Sequence, residues 1–304
     1  MANPQILFIA GTHGNEMNAP WLFNQWIKNP DLINVNDLDI FKVIGNPKAL
    51  KDCKRYLDFD LNRSFRKEFL NDEKMKFYEV ERAREILSKF GPKGLNKCQI
   101  AIDLHSTTSA MGSCIVVYGR RPADLAIASL LQARIGFPIY LHEGDDNQKG
   151  FLVESWPCGL VIEIGPVPQG LLNAQVINQN RLALEISLQE FAKLGAKKTT
   201  FPKKVAIHRH IKSIDFPRSP FGEIDAVVHP LRQCSDWNPI ENGAPLFIKA
   251  DGTIIRYEGK EKLVPVFINE AAYAEKNIAM SLTKREVWDF SKDWEIAINE
   301  IFFR

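Results

Sequence analysis

The sequence predicts an α/β fold, a mainly parallel mixed sheet with helices on both faces, followed by a smaller β-rich C-terminal domain. Three observations lead there. Through the first two thirds of the chain, short apolar runs alternate with longer helix-like stretches, the pattern of strands joined by crossover helices. A lysine-rich stretch, Lys197-Lys198 and Lys203-Lys204 around Thr199-Thr200-Phe201-Pro202, then interrupts that pattern. Beyond it, Asn242-Gly243, Asp251-Gly252 and Glu258-Gly259 punctuate short apolar runs, as hairpin turns do.

Taken in order, Ile6–Ala10 reads as a buried strand, followed by a glycine turn and a helical pattern across Trp21–Ile27. Ile40–Ile44 is a second strand, closed by Gly45-Asn46-Pro47, and a charged helix is expected over Glu68–Lys89. Strands follow at Gln99–Leu104, Cys114–Tyr118 and Leu160–Ile164, with helices at Leu125–Ala133 and Val176–Leu194. In the last third, Pro245–Lys249 and Thr253–Tyr257 flank Asp251-Gly252 as a hairpin, and Ser281–Phe303 is partly helical. The expected division is a domain over residues 1–205 and a capping domain over 206–304.

Bulk composition narrows the function. A chain of 304 residues that is 45% apolar can bury a sizeable core. Its 39 basic and 37 acidic residues nearly balance, which argues against a general nucleic-acid binder. The lysine-rich stretch reads as a solvated connector rather than a phosphate-binding patch. Cys53, Cys98, Cys114, Cys158 and Cys234 form no CxxC pair, so free thiols in a reducing compartment are expected. Met1-Ala2-Asn3-Pro4 lacks a basic leader, and the apolar run after it is too short for a signal peptide or a membrane span. The expected compartment is the cytoplasm, with no membrane or nucleic-acid partner; a homo-oligomer is compatible with the sequence.

Three polar sites fall at or just beyond predicted strand ends, where open α/β sheets bind ligands. They are Gly11-Thr12-His13-Gly14-Asn15-Glu16, His105-Ser106-Thr107-Thr108, and Glu163 within Val161–Pro166. His13 and Glu16 are three apart, so one turn can aim both at a point. Two histidines and one carboxylate suit a catalytic zinc that keeps its fourth position for water, although His13 and Glu16 could instead cap the following helix. Asp103 lies on the same strand face as His105 and either orients that histidine or is satisfied by backbone. Glu163, a carboxylate inside an apolar strand, is either a general base or half of a structural pair with an arginine. Arg55 and Arg63 flank Asp58, Asp60 and Asn62; the guanidinium groups could bind carboxylates and stabilise an oxyanion, or be neutralised in a surface network.

Together, Gly11–Glu16, Asp60-Leu61-Asn62-Arg63, Asp103-Leu104-His105-Ser106-Thr107, Glu163-Ile164-Gly165-Pro166 and Asn269-Glu270-Ala271-Ala272-Tyr273 resemble the aspartoacylase family. That family belongs with succinylglutamate desuccinylases in the wider zinc-carboxypeptidase fold group. The motifs keep the family's order and span nearly the whole chain. The resemblance implies a zinc-dependent hydrolase of linear amides that acts on a small N-acyl amino acid, N-acyl-L-aspartate first. It implies one zinc at His13, Glu16 and His105, with Glu163 as the base that activates water. It implies further that Arg55 polarises the scissile carbonyl, that Asn62 and Arg63 hold the α-carboxylate, and that Tyr273 reaches the substrate from the C-terminal domain.

The chain departs from the family pattern where selectivity for aspartate is set. The arginine expected shortly before the general-base strand is absent from Gly150–Trp156, and Tyr273 is followed by Ala274-Glu275-Lys276-Asn277 rather than by a segment with two successive lysines. Lys149 and Lys276 are the candidate cations for the substrate's side chain. The competing readings are a succinylglutamate desuccinylase with a longer substrate arm, a carboxypeptidase, which the capping domain disfavours, and a zinc- or metabolite-binding module without turnover.

Overall fold

A computed structural model describes residues 4–34, 38–145 and 149–303 of the chain; Met1-Ala2-Asn3, from which no leader is expected, lies outside them. Five short apolar runs form the heart of a sheet: β1 (Ile6–Ala10), β2 (Ile40–Ile44), β3 (Ile100–Ser106), β4 (Ser113–Tyr118) and β5 (Ile139–His142). Then come β6 (Cys158–Ile164) and the long β7 (Lys204–Ile214). The C-terminal third contributes β8 (Val227–Val228), β9 (Pro245–Ile248), β10 (Ile254–Arg256), β11 (Val264–Val266) and β12 (Met280–Asp289). Nine strands join in the order β11-β12-β7-β5-β4-β6-β3-β1-β2, while β10-β9-β8 form a separate three-stranded sheet. Most pairs in the large sheet are parallel; β4 with β6, β7 with β12 and β11 with β12 are antiparallel. β7 spans the position expected for the domain division, so the polypeptide beyond it both extends the first sheet and builds the second.

Period-two alternation assigns the two faces. On β1, Ile6, Phe8 and Ala10 pack with helices α1 (Asn18–Lys28), α5 (Pro122–Ile135), α6 (Ala174–Gly195) and α7 (Lys292–Phe303), numbered with α2 (Pro47–Lys51), α3 (Lys67–Asn71) and α4 (Tyr78–Phe90) between them. Leu7 and Ile9 face the other side, with Ala101 and Val161 of neighbouring strands and Ala83 and Ile86 of α4. Asp103, His105 and Glu163 follow the parity of Ala101 and Val161, so they share this second face. Apolar packing of every other residue thereby fixes where the polar ones point.

The expected helix over Glu68–Lys89 is two helices, α3 and α4. Asp72 ends the first: its Oδ1 accepts the backbone N–H of Lys74 at 2.9 Å, a local bond that competes with helix continuation. Arg84 then takes the carbonyls of Phe69, Leu70, Asp72 and Met75 and holds the break shut. The four-residue β5 carries no periodic signal of its own, and Ser281–Phe303 is a strand followed by a helix. No helix among the described residues is long and apolar enough to cross a membrane.

Candidate active site

The turn after β1 is shaped by a glycine. A Cβ on Gly14 would stand 2.1 Å from the Ala49 carbonyl carbon, so only glycine lets α2 pack onto this turn. His13 and Glu16 consequently leave the end of β1 toward β3. Gly14→Ala should force the turn away from α2, costing about 1–3 kcal/mol in a urea melt, and unchanged stability would show that the contact yields.

His13, Glu16 and His105 are buried, and their ligand atoms lie within 4.8 Å of one another. Glu16 faces both histidines through Nδ1, with Oε1 2.7 Å from His13 and Oε2 3.1 Å from His105. Each remaining nitrogen meets a second carboxylate: His13 Nε2 lies 3.0 Å from Asp60, and His105 Nε2 lies 2.8 Å from Asp103. Thr12 donates to both oxygens of Asp103 at 2.8 and 3.0 Å and fixes that carboxylate in turn. Burial favours a neutral carboxyl at Asp60 and Glu16, but His13 with Arg55 at Asp60, and His13 with His105 at Glu16, outweigh it and hold both well below the usual carboxylate range. Two imidazoles presenting one nitrogen inward, each oriented by an outer carboxylate, with an ionised glutamate between them, form a donor set that fits a divalent metal ion.

Asp103 therefore bonds side chains rather than backbone, and Asp60 is not part of a surface network. Asp60 is buried; it receives Arg55 Nη2 at 3.2 Å and caps the turn at Leu61–Arg63 by accepting Asn62 N–H at 2.9 Å. Asp58 is exposed and accepts the backbone N–H of Tyr78 at the start of α4. The preceding loop is fastened by Glu79 of α4, fully buried, which accepts the backbone N–H groups of Leu57, Asp58 and Phe59 at 2.7, 3.1 and 3.1 Å. Burial opposes the charge on Arg55, but Asp60 and Glu16 prevail and raise its pKa.

Glu163 stands opposite His105 in the parallel β3–β6 register and opposite Cys114 on β4. It pairs with no arginine among the described residues; Arg55 instead reaches Asp60 and Glu16. Burial is the main reason its pKa rises to about 8, with Glu16 and Glu270 adding to the rise and His105 opposing it. Glu163, His13, Glu16, Arg55, Asn62, Arg63 and Tyr273 all line one pocket, and His105 stands behind it. Asn62 Oδ1 accepts Leu152 N–H at 3.0 Å, and the Arg63 guanidinium lies 4.0 Å from the centre of the Phe151 ring. The candidate cations are elsewhere. Lys149 is exposed, and Lys276 lines an adjoining cavity with Nζ 3.6 Å from Asp60.

The C-terminal segment closes this pocket through Glu270. Its carboxylate accepts the Thr107 hydroxyl, Thr108 N–H at 2.8 Å, Ser109 N–H at 3.0 Å and Ala272 N–H at 3.1 Å. One side chain thus ties the loop after His105 to the turn bearing Tyr273. Glu270→Ala should leave several buried donors without partners and cost about 3 kcal/mol or more, together with most activity. A melt within 1 kcal/mol of wild type would remove this role.

The chain matches the succinylglutamate desuccinylase/aspartoacylase catalytic domain over residues 2–190 and the AstE/AspA barrel-sandwich hybrid domain over 203–285. It belongs to the succinylglutamate desuccinylase/aspartoacylase family. Within this family of hydrolytic deacylases it is 59% identical over 297 residues to a probable aspartoacylase of Prochlorococcus marinus, covering 97% of each chain. It is 53% identical over 303 residues to a probable aspartoacylase of a Synechococcus species, covering 99% of each. Its fold is similar to that of murine aminoacylase 3, with a TM-score of 0.86 and 33% identity over 95% of this chain and 98% of that one. A succinylglutamate desuccinylase from Vibrio cholerae shares the fold alone, with a TM-score of 0.62 at 15% identity over 96% of this chain and 85% of that one.

Reading the sequence missed Asp60 as the partner of His13, Glu270 as a clamp, and the far wall of the pocket. The acidic residues stood inside motifs already singled out. The far wall comes from Tyr118, Tyr140, His142 and Phe151, which share no motif and depend partly on β5.

Proposed function

We propose that this protein is a zinc-dependent amidohydrolase that releases the acyl group of an N-acyl amino acid, with N-acyl-L-aspartate as its substrate. The observation that carries the reading is a half-buried Glu163, without an ion-pair partner among the described residues, standing in register with His105 beside the three-ligand cluster. A pure binding module has no need of such a carboxylate. A closed structural zinc site would use a fourth protein ligand, and among the described residues three groups converge here.

His13, Glu16 and His105 would hold zinc, which supplies a Lewis acid that acidifies water and polarises a carbonyl oxygen. Glu163 takes the proton from the attacking water and returns it to the departing amine. Arg55 places its guanidinium against the carbonyl oxygen as negative charge develops there. Asn62 and Arg63 grip the α-carboxylate, with Arg63 held in place by Phe151, and Tyr273 covers the substrate from the C-terminal side.

The test is a zinc determination together with kcat/KM for N-acetyl-L-aspartate, N-acetyl-L-glutamate, N-succinyl-L-glutamate and N-acetyl-L-alanine. One zinc per chain and a preference for the aspartate derivative are expected. Best turnover of the succinyl compound would make the protein a desuccinylase, and a tenfold preference for alanine would end the aspartate assignment while leaving the amidase. No turnover of any of them by zinc-loaded protein would end the deacylase reading.

A further inference from the structure

Among the described residues, the far wall of the pocket carries one unsatisfied polar atom. His142, at the end of β5, is 7% exposed and lines the same pocket as Glu163, yet its Nε2 is buried without a hydrogen-bond partner. Its neighbour His210, ring centre 5.1 Å away, shows the contrast: one nitrogen meets the Glu143 carbonyl at 2.9 Å and the other the Ser213 hydroxyl at 3.1 Å. A buried polar atom without a partner is costly unless a ligand completes it.

The ring around that nitrogen is fixed in place and in tautomer. Its edge meets Tyr118 and Phe151, whose rings stack on each other with centres 3.6 Å apart. Its Nδ1 lies 3.2 Å from the Tyr140 hydroxyl. Among the described residues the buried Tyr140 hydroxyl has no other hydrogen-bond partner, so its proton goes to Nδ1. A neutral imidazole accepting at Nδ1 carries its own proton on Nε2. Burial is the main cause that keeps the ring neutral, lowering its pKa to about 3; His210, Arg63 and Lys276 act in the same direction and Asp145 acts against it. Arg63 and Lys276 set two positive charges near this N–H against the one negative charge of Asp145, a balance that favours an anionic acceptor.

We propose that His142 is the selectivity residue of this pocket, its Nε2–H receiving the side-chain carboxylate of an N-acyl amino dicarboxylic acid whose α-carboxylate rests on Arg63. The assignment rests on the deacylase reading above. Arg63 lies 4.0 Å from the Phe151 ring centre and that centre 5.4 Å from the His142 ring centre, which caps their separation at 9.4 Å. A hydrogen bond at each end and the short carbon chain between two carboxylates fill such a span. Neither Lys149 nor Lys276 lines this pocket, so a neutral donor in a positive field takes the place of a dedicated cation. Tyr140 acts through His142 and is a positioning residue.

The experiment compares wild type with His142→Phe, His142→Gln and Tyr140→Phe on N-acetyl-L-aspartate and N-acetyl-L-alanine. In His142→Phe the ratio of kcat/KM for aspartate over alanine should fall about 10- to 100-fold, carried by KM for the aspartate substrate, as for a lost bond to a charged group. His142→Gln keeps an N–H near the same place and should recover part of the ratio. An unchanged ratio in His142→Phe, parallel losses included, overturns the proposal. A nitrogen-15 spectrum of the histidine side chains in Glu163→Gln reads the same contact without turnover. It should show His142 protonated at Nε2, that resonance moving on addition of N-acetyl-L-aspartate, and the tautomer mixed when Tyr140→Phe is added. If wild type cleaves neither amide, the deacylase reading falls while the spectrum still decides His142: no response at Nε2 sinks it.

Discussion

Glu163→Gln is expected to bind zinc and substrate about as well as wild type and to lose roughly 10²–10⁴-fold in kcat. The two side chains have nearly the same shape, so the strand and its register should persist, and what disappears is the capacity to hold a proton. Because burial raises the affinity of Glu163 for its proton, the base form fills as pH rises, and the wild-type rate should climb with pH along a limb the variant lacks. Stability gives an independent reading in metal-free protein. A folded pKa of about 8 lies above the ordinary 4.5, so this group's contribution to stability is present below 4.5 and lost as pH rises through 8. Melts at pH 6 and pH 9 should therefore diverge more in wild type than in Glu163→Gln. A variant with near-wild-type kcat would make Glu163 a structural residue.

His105→Ala is expected to abolish zinc binding and turnover together. A catalytic site with three protein ligands has no spare one, and here His105 also anchors the contact to Asp103. Asp103→Asn should be milder, with zinc affinity reduced about 10- to 100-fold because the histidine remains and only its orientation loosens. Zinc that binds only the folded chain should raise the wild-type melting temperature with concentration and leave that of His105→Ala unmoved. Full zinc occupancy in both His13→Ala and His105→Ala would discard the site.

The strands that deliver the chemistry were legible because each is a short apolar run ending in glycine or polar residues. His13, Glu16, His105 and Glu163 could be brought together from strand parity and the carboxyl-end rule, and the structure does bring them together. Other features depend on contacts that no local pattern encodes. Asp60 meets a histidine 47 positions earlier in the chain, and Glu270 meets a loop more than 160 positions away. β5 is four residues long, too short for periodicity to announce it, and with it went the wall that carries His142. The break between α3 and α4 was hidden for a different reason: its charged residues suit a helix, and only Arg84 folding back on the freed carbonyls shows why the chain turns.

The clamp at Glu270 has a consequence for the order in which the site is made. Every group of the ligand cluster, together with Glu163, has been synthesised once residue 163 is added, but the pocket has no cover until residues beyond 270 leave the ribosome. A nascent chain passes through an interval in which the cluster can form over an open sheet face. Competence should then come late and abruptly, when β11 and β12 dock beside β7 and Glu270 takes hold of the loop after His105. Chains stalled in that interval would hold metal without holding substrate.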